Sequence, residues 1–478
     1  MANLTIIQLN DTHGHMESHW EGFYGKEISY QMVGGFARIA NYVKKKKDEN
    51  PNVLFIDNGD TLHGTGPAVL SKGEALIPVL SNLMLDVWVP GNWDFAYGPI
   101  QLMKLANRLP YPTVACNVFD SIHGTPIFRP YIVKEMKGLK VGIIGLTYPF
   151  EDKTMPSSFS EGLHFTLGLD VLPKYIEQLR DREKVNLVIL IEHIGLPLSQ
   201  KLATLVSGID VILSGHSHDR IKLPLKVNDT LIIQAGSHGS FLGQLDLEWN
   251  NGKIVDYTYQ LIPLYKHQFE EDQQTKELIE QAIQPYQKIL DPVLGKTLTP
   301  LHRMYLHQTS MDNFITDSYM HYFEGDVSFS HGWRYGVPIL PGQITMKDIW
   351  QMIPSNPELF TIEAEGRKLL QILERNLTSV YARDPFHQMG GYILRSTELF
   401  MALKPYNSDG QRIEHIEIKG KPLQMDKIYK VIGAGKQDFR ELGDHKKFLG
   451  IKAHDVIKEF LRDIKEYQRE NNGLIVSI

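Results

Sequence analysis

The sequence predicts an α/β protein of two domains, and three observations lead to this prediction. Over roughly the first 260 residues, short β-branched runs alternate with helical stretches, as in a layered α/β domain. After residue 300 the pattern becomes a mixed α+β one. Between the two, residues 269–290 are rich in Glu, Gln and Lys with apolar residues at helical spacing, which predicts an amphipathic helix at the boundary. An ordinary surface helix would give the same pattern.

The length and charge of the chain exclude several classes of protein. A chain of 478 residues has room for two or three domains with buried cores. Its 50 basic and 56 acidic side chains give a formal net charge of −6, so no overall positive field attracts nucleic acid or an anionic membrane. The single cysteine, Cys116, excludes an internal disulfide and a cysteine-only metal site, whereas 19 histidines remain for metal binding.

The start of the chain bears on where the protein resides. No apolar run approaches the roughly 18 residues of a membrane span. A strand-like run begins at Leu4, without the basic and apolar regions of a secretory leader before it. We therefore expect a cytoplasmic protein with no membrane or nucleic-acid partner, or an exported one if a leader was removed. The sequence does not predict the oligomeric state.

Short apolar runs identify the strands. In the first half they occupy residues 4–9, 53–56, 141–146, 185–191, 211–213 and 231–234. In the second half, the predicted strands are residues 360–363, 413–418 and 428–432, followed by a final helix at 453–470. Four of the first-half runs lead directly into polar clusters, which are Asn10-Asp11-Thr12-His13, Asp57-Asn58-Gly59-Asp60, Glu192-His193 and Gly215-His216-Ser217-His218. Because functional loops of α/β sheets follow the strand ends, this recurrence is the strongest functional signal in the sequence.

These clusters contain ligands suited to a pair of cations. Asp11 and His13 are one residue apart in an extended segment and therefore face one side, and Gly59 lets the backbone turn to present Asp60. Taken singly, each such residue is more often structural, for example a turn-capping aspartate. Taken together, one set supplies carboxylate, imidazole and amide donors for two cations: Asp11, His13, Asp60, Asn92, His193, His216 and His218. Two cations about 3.5–4 Å apart activate water and stabilise an oxyanion, so the set predicts ester hydrolysis without a protein nucleophile.

The same blocks resemble a known family. They are similar to the five blocks of calcineurin-like metallophosphoesterases of the 5′-nucleotidase type, namely Asn10-Asp11-Thr12-His13-Gly14-His15, Gly59-Asp60, Gly91-Asn92-Trp93-Asp94, Glu192-His193-Ile194-Gly195 and Gly215-His216-Ser217-His218. The resemblance implies a four-layer α/β/β/α metallophosphoesterase domain over residues 1–265, a linker helix over 266–295 and a smaller α+β 5′-nucleotidase-type substrate-binding domain over 296–478. It also implies the metal ligands, which are Asp11, His13, Asp60 and His218 for the first ion and Asp60, Asn92, His193 and His216 for the second, with Asp60 bridging.

One position departs from the family pattern. Where the family usually has a histidine that assists at the transferring or leaving group, this chain has Trp93. Indole cannot supply a proton near neutral pH. The substitution therefore indicates either a weakened phosphatase or a reaction that needs less acid assistance. Asp94 loses its apparent partner; we predict a catalytic role for it beside Asn92, with a purely structural role as the alternative.

The second half supplies candidates for substrate binding. Arg334 lies in Ser330-His331-Gly332-Trp333-Arg334-Tyr335-Gly336, where a planar guanidinium can face a tetrahedral oxyanion. The resemblance aligns this arginine with one that contacts substrate phosphate, whereas a core tryptophan beside a surface arginine is the alternative. The predicted substrate-binding residues are Trp93, Trp333, Arg334, Phe386 and Phe439, and Arg334 is also predicted to be catalytic. An aromatic such as Phe439 could stack on a base, although for it, Phe360 and Phe386 a packed core position is the alternative.

A narrower resemblance concerns the reaction. Trp93, the Trp333-Arg334-Tyr335-Gly336 block, Asp384-Pro385 and Gln388-Met389-Gly390-Gly391 are similar to the SoxB-type thiosulfohydrolase branch. The resemblance to that branch implies release of sulfate from a cysteine persulfide on a carrier protein, at a dimanganese site.

The predicted function is hydrolysis of phosphate monoesters, first of all nucleotides, by attack of a metal-bound hydroxide on phosphorus. Arg334 and two divalent ions (Mn, Zn or Fe) would neutralise the developing charge. The alternatives are SoxB-like hydrolysis of a sulfur substrate with release of sulfate, and a catalytically weakened, metal-stabilised binding protein.

Overall fold

A computed structural model describes residues 2–250, 252–331, 333–389, 392–435, 439, 442, 445–469 and 474–478. Two parts of the predicted motifs lie outside the described residues, namely Gly332 and Gly390-Gly391. The chain divides into two compact units. Unit 1 consists of Met1–Phe23 and Tyr30–Tyr286, and unit 2 of Tyr24–Ser29 and Gln287–Ile478. The main change of unit falls inside the segment predicted as the linker.

The first fifteen strands and eight helices precede residue 287. The strands are β1 (Ala2–Leu9), β2 (His19–Phe23), β3 (Ser29–Val33), β4 (Val53–Asp57), β5 (Val87–Trp88), β6 (Val118–Asp120), β7 (Tyr131–Met136), β8 (Leu139–Leu146), β9 (Leu163–Phe165), β10 (Leu187–Glu192), β11 (Val211–Leu213), β12 (Leu225–Val227), β13 (Thr230–Ile233), β14 (Phe241–Asn250) and β15 (Lys253–Pro263). The helices are α1 (Phe36–Glu49), α2 (Gly66–Leu70), α3 (Ile77–Ser81), α4 (Pro99–Ala106), α5 (Glu151–Thr154), α6 (Leu172–Glu177), α7 (Leu196–Leu205) and α8 (Gln273–Ile283). All six apolar runs predicted in the first half are strands.

Two sheets form the centre of unit 1. Their strand orders are β15-β14-β1-β4-β5 and β12-β13-β11-β10-β8-β7. Within them, β1 and β4 are parallel, as are β8, β10, β11 and β13 along the second sheet. Strands buried on both faces carry continuous apolar runs, and every residue of β10 is accordingly buried.

The packing of unit 1 follows the predicted four layers. Ile6 and Ile56 of the first sheet share one buried apolar cluster with Ile143 and Ile191 of the second, so this cluster fills the space between the sheets. Other residues of the first sheet pack on its outer face against helices α1, α3, α4 and α8. Helix α7 contacts β12 and β13 of the second sheet. The α/β/β/α arrangement is therefore confirmed.

The helix predicted at residues 269–290 is interrupted. Asp272 caps α8, its side chain accepting a hydrogen bond from the Thr275 backbone N–H, and the buried Ile279 packs in the same cluster as α1 and α3. A 3₁₀ turn containing Pro285 follows at Gln284–Tyr286. Since proline lacks a backbone N–H and restricts the residue before it, the α-helix ends at Ile283.

Unit 2 is a mixed α+β domain. Its strands are β16 (Val293–Thr297), β17 (Val327–Ser330), β18 (Gly342–Thr345), β19 (Glu358–Glu365), β20 (Arg395–Thr397), β21 (Leu399–Leu403), β22 (Ile413–Ile418), β23 (Lys421–Pro422), β24 (Ile428–Ala434), β25 (Lys447–Lys452), β26 (Glu466–Tyr467) and β27 (Ile475–Ser477). Its helices are α9 (Gln287–Leu290), α10 (Ser310–Tyr322), α11 (Met346–Met352), α12 (Gly366–Tyr381) and α13 (Ala453–Ile464). The largest sheet has the order β20-β17-β24-β19-β25, and two smaller sheets are β23-β22-β21-β27 and β18-β16-β26.

The final helix is shorter than predicted. Helix α13 ends at Ile464, where Lys465 takes a left-handed conformation with φ of 63°. The chain then forms β26, in which Glu466 and Tyr467 pair with Lys296 and Thr297 of β16. This pairing is a long-range contact, which helical periodicity does not reveal. None of the helices in the described ranges is both long and apolar enough to span a lipid bilayer.

Candidate metal centre

The seven predicted metal ligands all lie in unit 1, on loops that follow strands of both sheets. Asp11 and His13 follow β1, and Asp60 follows β4. Asn92 begins a 3₁₀ turn after β5, His193 follows β10, and His216 and His218 follow β11. The carboxyl ends of these strands meet at one edge, which is where α/β sheets place their functional loops.

Asp11, His13 and His218 form the first donor cluster. The Nε2 atoms of His13 and His218 are 3.1 Å apart. His218 Nε2 lies 3.2 Å from Asp11 Oδ1. One oxygen and two ring nitrogens therefore converge on one point.

Asp60, His193 and His216 form the second cluster, in which the donor atoms lie within 4.8 Å of one another. His193 Nε2 is 3.3 Å from Asp60 Oδ2. His216 Nδ1 is 2.9 Å from the Asn92 side-chain oxygen, so Asn92 lies beside this cluster.

Asp60 lies between the two clusters. Its Oδ2 atom is 3.8 Å from His13 Nε2 of the first cluster and 3.3 Å from His193 Nε2 of the second. Its other oxygen, Oδ1, accepts a 2.7 Å hydrogen bond from the Trp93 backbone N–H. That bond fixes the carboxylate so that Oδ2 faces both clusters, as a bridging ligand would.

The donor atoms fit a pair of divalent cations. Ligands about 2.0–2.1 Å from one ion are themselves roughly 3–3.5 Å apart, which is the spacing of the His13, His218 and Asp11 donors. Within the described part of the chain, the buried His193 Nε2 has no hydrogen-bond partner of acceptable geometry. Nitrogen and oxygen donors of this kind suit Mn, Zn or Fe. The assignment of the seven residues as ligands stays a prediction.

Backbone carbonyls orient two of the imidazole rings. His193 Nδ1 is 2.6 Å from the carbonyl oxygen of Asn58, and His13 Nδ1 is 3.2 Å from that of His63. When Nδ1–H donates to a carbonyl, the lone pair resides on Nε2. Both rings therefore present Nε2 as the donor atom toward the cluster.

The loops carry an unusual concentration of backbone strain. Five of the seven predicted ligands have left-handed backbone conformations, with φ of 51° at Asp11, 47° at His13, 54° at Asp60, 74° at His216 and 61° at His218. Such conformations are rare outside glycine and cluster where function requires them. A Cβ atom at Gly59 would collide with the backbone N of Gly91, so this glycine allows the Asp60 and Asn92 loops to approach.

The protonation states of the residues in the two clusters favour cation binding. Burial lowers the pKa of His13 to about 4. Although burial opposes the shift, the Asp60 and Asp11 carboxylates raise the pKa of His193 to about 10. Burial also opposes the shift at Asp60, whose pKa the His193 and His13 imidazoles hold well below its usual value. A proton and a cation would therefore compete for His193 Nε2, and cation binding there would release that proton.

Asp94 has a positioning role in the structure. It is fully buried, and its two oxygens accept hydrogen bonds from four backbone N–H groups, those of Asp60, Thr61, Leu62 and Gly91. Burial beside Asp60 raises the pKa of Asp94 to about 7, against the effect of these donors. The carboxylate ties the Asp60 loop to the Asn92 loop, and its acceptor positions are already used by the backbone. This placement favours the structural alternative for Asp94.

Trp93 lies beside the second donor cluster, and its ring packs between two other aromatic rings. Its ring stacks on the imidazole of His63, with centroids 4.7 Å apart and planes 13° apart. Its edge meets Phe159, with centroids 6.0 Å apart. The indole is thus held by packing.

Of the four predicted substrate-binding residues in unit 2, three remain candidates. Arg334 lies over the ring of Tyr392 at 5.1 Å, and Trp333 stacks on Tyr335 with centroids 5.6 Å apart. Phe386 is half-buried in the 3₁₀ turn Pro385–His387. These three residues stay candidates for substrate binding.

Phe439 requires a correction. Its ring is only 3% exposed and packs edge-on against Phe329 in the core of unit 2, with centroids 5.2 Å apart. A nucleotide base cannot stack on a ring in this position, so the predicted substrate role of Phe439 is wrong. Phe360, for which a packed core position was the alternative prediction, is fully buried in the same core.

Sequence reasoning missed the loop after β8. Tyr148 packs on the ring of His216, with centroids 4.6 Å apart, and Met155 Sδ lies 3.8 Å from the Asn92 side-chain nitrogen. Between them, Glu151 is fully buried. The strand itself was predicted, and the rule that functional loops follow strand ends applied to it as well. The loop was passed over because Thr147-Tyr148-Pro149-Phe150 contains no typical metal ligand.

A second missed group consists of buried histidines beside the first cluster. The His238 ring lies 5.9 Å from that of His13 and 5.7 Å from that of His218. Its backbone N–H donates to the Asp11 carbonyl at 2.7 Å. His15 and His19 continue this group away from the cluster, with centroids 5.1 Å apart.

Two family models match the chain. Residues 4–220 match the calcineurin-like phosphoesterase model, and residues 293–440 match that of the 5′-nucleotidase C-terminal domain. The chain therefore combines a calcineurin-like phosphoesterase domain with a 5′-nucleotidase C-terminal domain. It is therefore a metal-dependent phosphoric ester hydrolase.

Relatives and solved structures agree with this assignment of domains. The phosphoesterase is 24% identical to a 5′-nucleotidase of Vibrio cholerae, over 96% of this chain and 90% of that protein. The sulfate thiohydrolase SoxB of Thermus thermophilus has a similar fold, with a TM-score of 0.92 and 24% identity over 99% of this chain and 96% of that one. A 5′-nucleotidase precursor of Thermus thermophilus also has a similar fold, with a TM-score of 0.87 and 24% identity over 100% of this chain and 99% of that one. These structures confirm the predicted pair of domains.

Proposed function

We propose that this phosphoesterase hydrolyses phosphate monoesters, with nucleotides as the first substrate class, at a pair of divalent cations. The observation that carries the proposal is the presence of two donor clusters, with Asp60 Oδ2 of the second lying 3.8 Å from His13 Nε2 of the first. The Vibrio cholerae relative named as a 5′-nucleotidase supports the nucleotide class.

The chain's own residues would bind the two cations and orient the substrate. When bound, two cations supply an activated water and positive charge for the developing oxyanion. Asp11, His13 and His218 would hold one ion and Asn92, His193 and His216 the other, with Asp60 on both. The Trp93 backbone N–H keeps the Asp60 carboxylate turned toward the two clusters. Arg334 offers a planar fork that matches phosphate or sulfate oxygens.

A second reaction has its own support. A sulfur substrate that releases sulfate does not require a proton donor of the kind that Trp93 cannot provide, because sulfate is a good leaving group. The similarity in fold to the sulfate thiohydrolase SoxB agrees with this alternative.

Parallel assays distinguish the two reactions. We expect phosphate release from a panel of nucleoside monophosphates after loading with manganese, measured beside sulfate release from thiosulfonate compounds. Sulfate release alone would replace the nucleotide proposal with the sulfur one. If neither product forms while Trp93→His gains hydrolysis, the protein is the weakened, metal-stabilised binding protein.

Arg334→Ala should lower kcat/KM for the phosphate ester by roughly 10²-fold, because one charge-assisted contact to the transition-state oxyanion is lost. The cation content should not change, since Arg334 lies in unit 2 and the predicted ligands lie in unit 1. Steady-state kinetics and metal analysis check both expectations. Arg367→Ala is the matched control, because this exposed arginine of α12 pairs only with Asp426 among the ion pairs of the described residues. An Arg334→Ala variant with unchanged kcat/KM would contradict the assignment.

A further inference from the structure

Buried carboxamides join the two sheets of unit 1 at the edge where the ligand loops begin. Asn58 follows β4 of the first sheet, and its Nδ2 atom donates hydrogen bonds to the carbonyl oxygens of Leu213 at 2.5 Å and Glu192 at 3.3 Å. These two residues end β11 and β10 of the second sheet. Gln8 of β1 donates from Nε2 to Asn58 Oδ1 at 3.3 Å and to the Ser214 carbonyl at 2.7 Å. The two carboxamides therefore connect the ends of four strands, and the loops after those strands carry most of the predicted ligands.

Asn58 also contacts one of these ligands through its backbone. Its carbonyl oxygen lies 2.6 Å from His193 Nδ1, and its own N–H donates to the Leu9 carbonyl of β1 at 2.9 Å. The backbone thus ties Asn58 to the first sheet, while the side chain ties it to the second. A Cβ atom at Gly215 would lie 3.0 Å from His193 Nδ1 and 3.1 Å from the Asn58 carbonyl oxygen, so the hydrogen bond between these two atoms has little room to shift.

The carboxamide of Asn58 is suited to fixing one arrangement of the groups around it. Asn58 is 0% exposed, its Nδ2 donates two hydrogen bonds, and its Oδ1 accepts one. Burying a primary amide is unfavourable unless these bonds form, so the buried amide favours the one geometry in which all of them are made. Because the amide is neutral, it fixes this geometry without placing a further charge beside the Asp60 carboxylate.

We propose that Asn58 is the positioning residue that holds His193, and with it the second donor cluster, at a fixed distance from the first cluster. The inference rests on the pair of cations in the proposed function. Residues that orient a ligating histidine typically contribute about 10- to 100-fold to metal affinity. Without the carboxamide, the Asn58 carbonyl keeps its place on the first sheet but loses its tie to the ends of β10 and β11. His193 is then free to move relative to Asp60.

Asn52, at the other end of β4, provides a matched control. Its Nδ2 atom donates to the carbonyls of Asn3 in β1 and of Lys137 in the turn between β7 and β8, each at 3.0 Å. Its Oδ1 atom accepts a 2.8 Å hydrogen bond from the Lys137 backbone N–H. Asn52 therefore also joins the two sheets through a buried carboxamide, but at the amino end of β4, whereas the predicted ligands follow the carboxyl ends of strands.

The test compares Asn58→Ala with Asn52→Ala. Both variants should unfold at a lower urea concentration than the metal-free wild type, because each loses a bridge between the sheets. Only Asn58→Ala should bind one of the two Mn²⁺ ions roughly 10- to 100-fold more weakly, as measured by titration calorimetry. At an Mn²⁺ concentration that fills both sites of the wild type, electron paramagnetic resonance should show two coupled ions in the wild type and in Asn52→Ala. The Asn58→Ala spectrum should instead show the sharp hyperfine lines of an isolated ion.

The outcomes are separable. An equal loss of cation affinity in the two variants, or no loss in either, overturns the role of Asn58, because a merely structural amide would act alike at both ends of β4. If Asn58→Ala does not fold, Gln8→Met decides, since it removes the donor to Asn58 Oδ1 and leaves Asn58 in place. Gln8→Met should weaken the binding of the same ion, and an unchanged affinity overturns the proposal. A wild type that binds fewer than two cations refutes the proposed function itself.

Discussion

Asp60→Asn should abolish the binding of both cations and lower hydrolysis by roughly 10³-fold or more, because Asp60 Oδ2 lies within 3.8 Å of an imidazole nitrogen in each cluster. An amide has one neutral oxygen in place of two charged ones, so it cannot neutralise two ions at once. The asparagine oxygen can still accept the hydrogen bond that the Trp93 N–H donates to Oδ1. The fold should therefore persist while the centre is lost. Metal analysis after dialysis, together with initial rates, measures the effect.

The control for Asp60→Asn removes the same charge from the surface of unit 1. Asp170→Asn is suitable, since Asp170 is exposed and remote in sequence from every predicted ligand. It should retain the cation content and the rate of the wild type. Two ions per chain in the Asp60→Asn variant would contradict the bridging position.

Asp94→Ala should lower the free energy of unfolding of the metal-free protein by roughly 3–5 kcal/mol. Four buried backbone N–H groups lose their acceptor, and each unmatched buried donor costs about 1–3 kcal/mol before the structure relaxes. The free energy of unfolding of Asp94→Asn should lie between those of the wild type and Asp94→Ala, because the amide retains one acceptor oxygen and turns an NH₂ group toward the other donors. Urea unfolding monitored by circular dichroism measures all three proteins.

The same variants decide between the two predicted roles of Asp94. If it positions the loops, stability and cation affinity should fall together. If activity falls while the unfolding free energy and the cation content stay at the wild-type level, Asp94 is catalytic and the positioning role is wrong. Asp152→Ala, which removes an exposed acid from α5, should change the free energy of unfolding by no more than about 0.5 kcal/mol.

The sequence was most informative where structure is local. The apolar runs predicted the strands because a strand buried on both faces needs a continuous apolar sequence, and β10 is the clearest example. The polar residues after four of these runs come together because parallel strands end at the same edge. Even without geometry, the spacing of Asp11, His13, Asp60 and His193 therefore predicted a shared site.

Features that depend on tertiary contacts could not be predicted in this way. Phe439 was predicted to bind substrate as an aromatic that could stack on a base, yet its ring packs in the core of unit 2. Asp94 resembles a catalytic acid in sequence, and only the four backbone donors around it favour a positioning role. The burial of the Glu151 carboxyl group without a hydrogen-bond partner among the described residues is likewise a property of the fold, which the sequence does not show.

We propose that seven side chains of unit 1 hold two neighbouring cations. Anomalous diffraction at the manganese edge from crystals grown with Mn²⁺ locates bound ions without any assumption about the ligands. We expect two peaks per chain, one among Asp11, His13 and His218 and one among Asn92, His193 and His216, with an oxygen of Asp60 on both. A single peak, or manganese bound elsewhere with these donors turned apart, would contradict it.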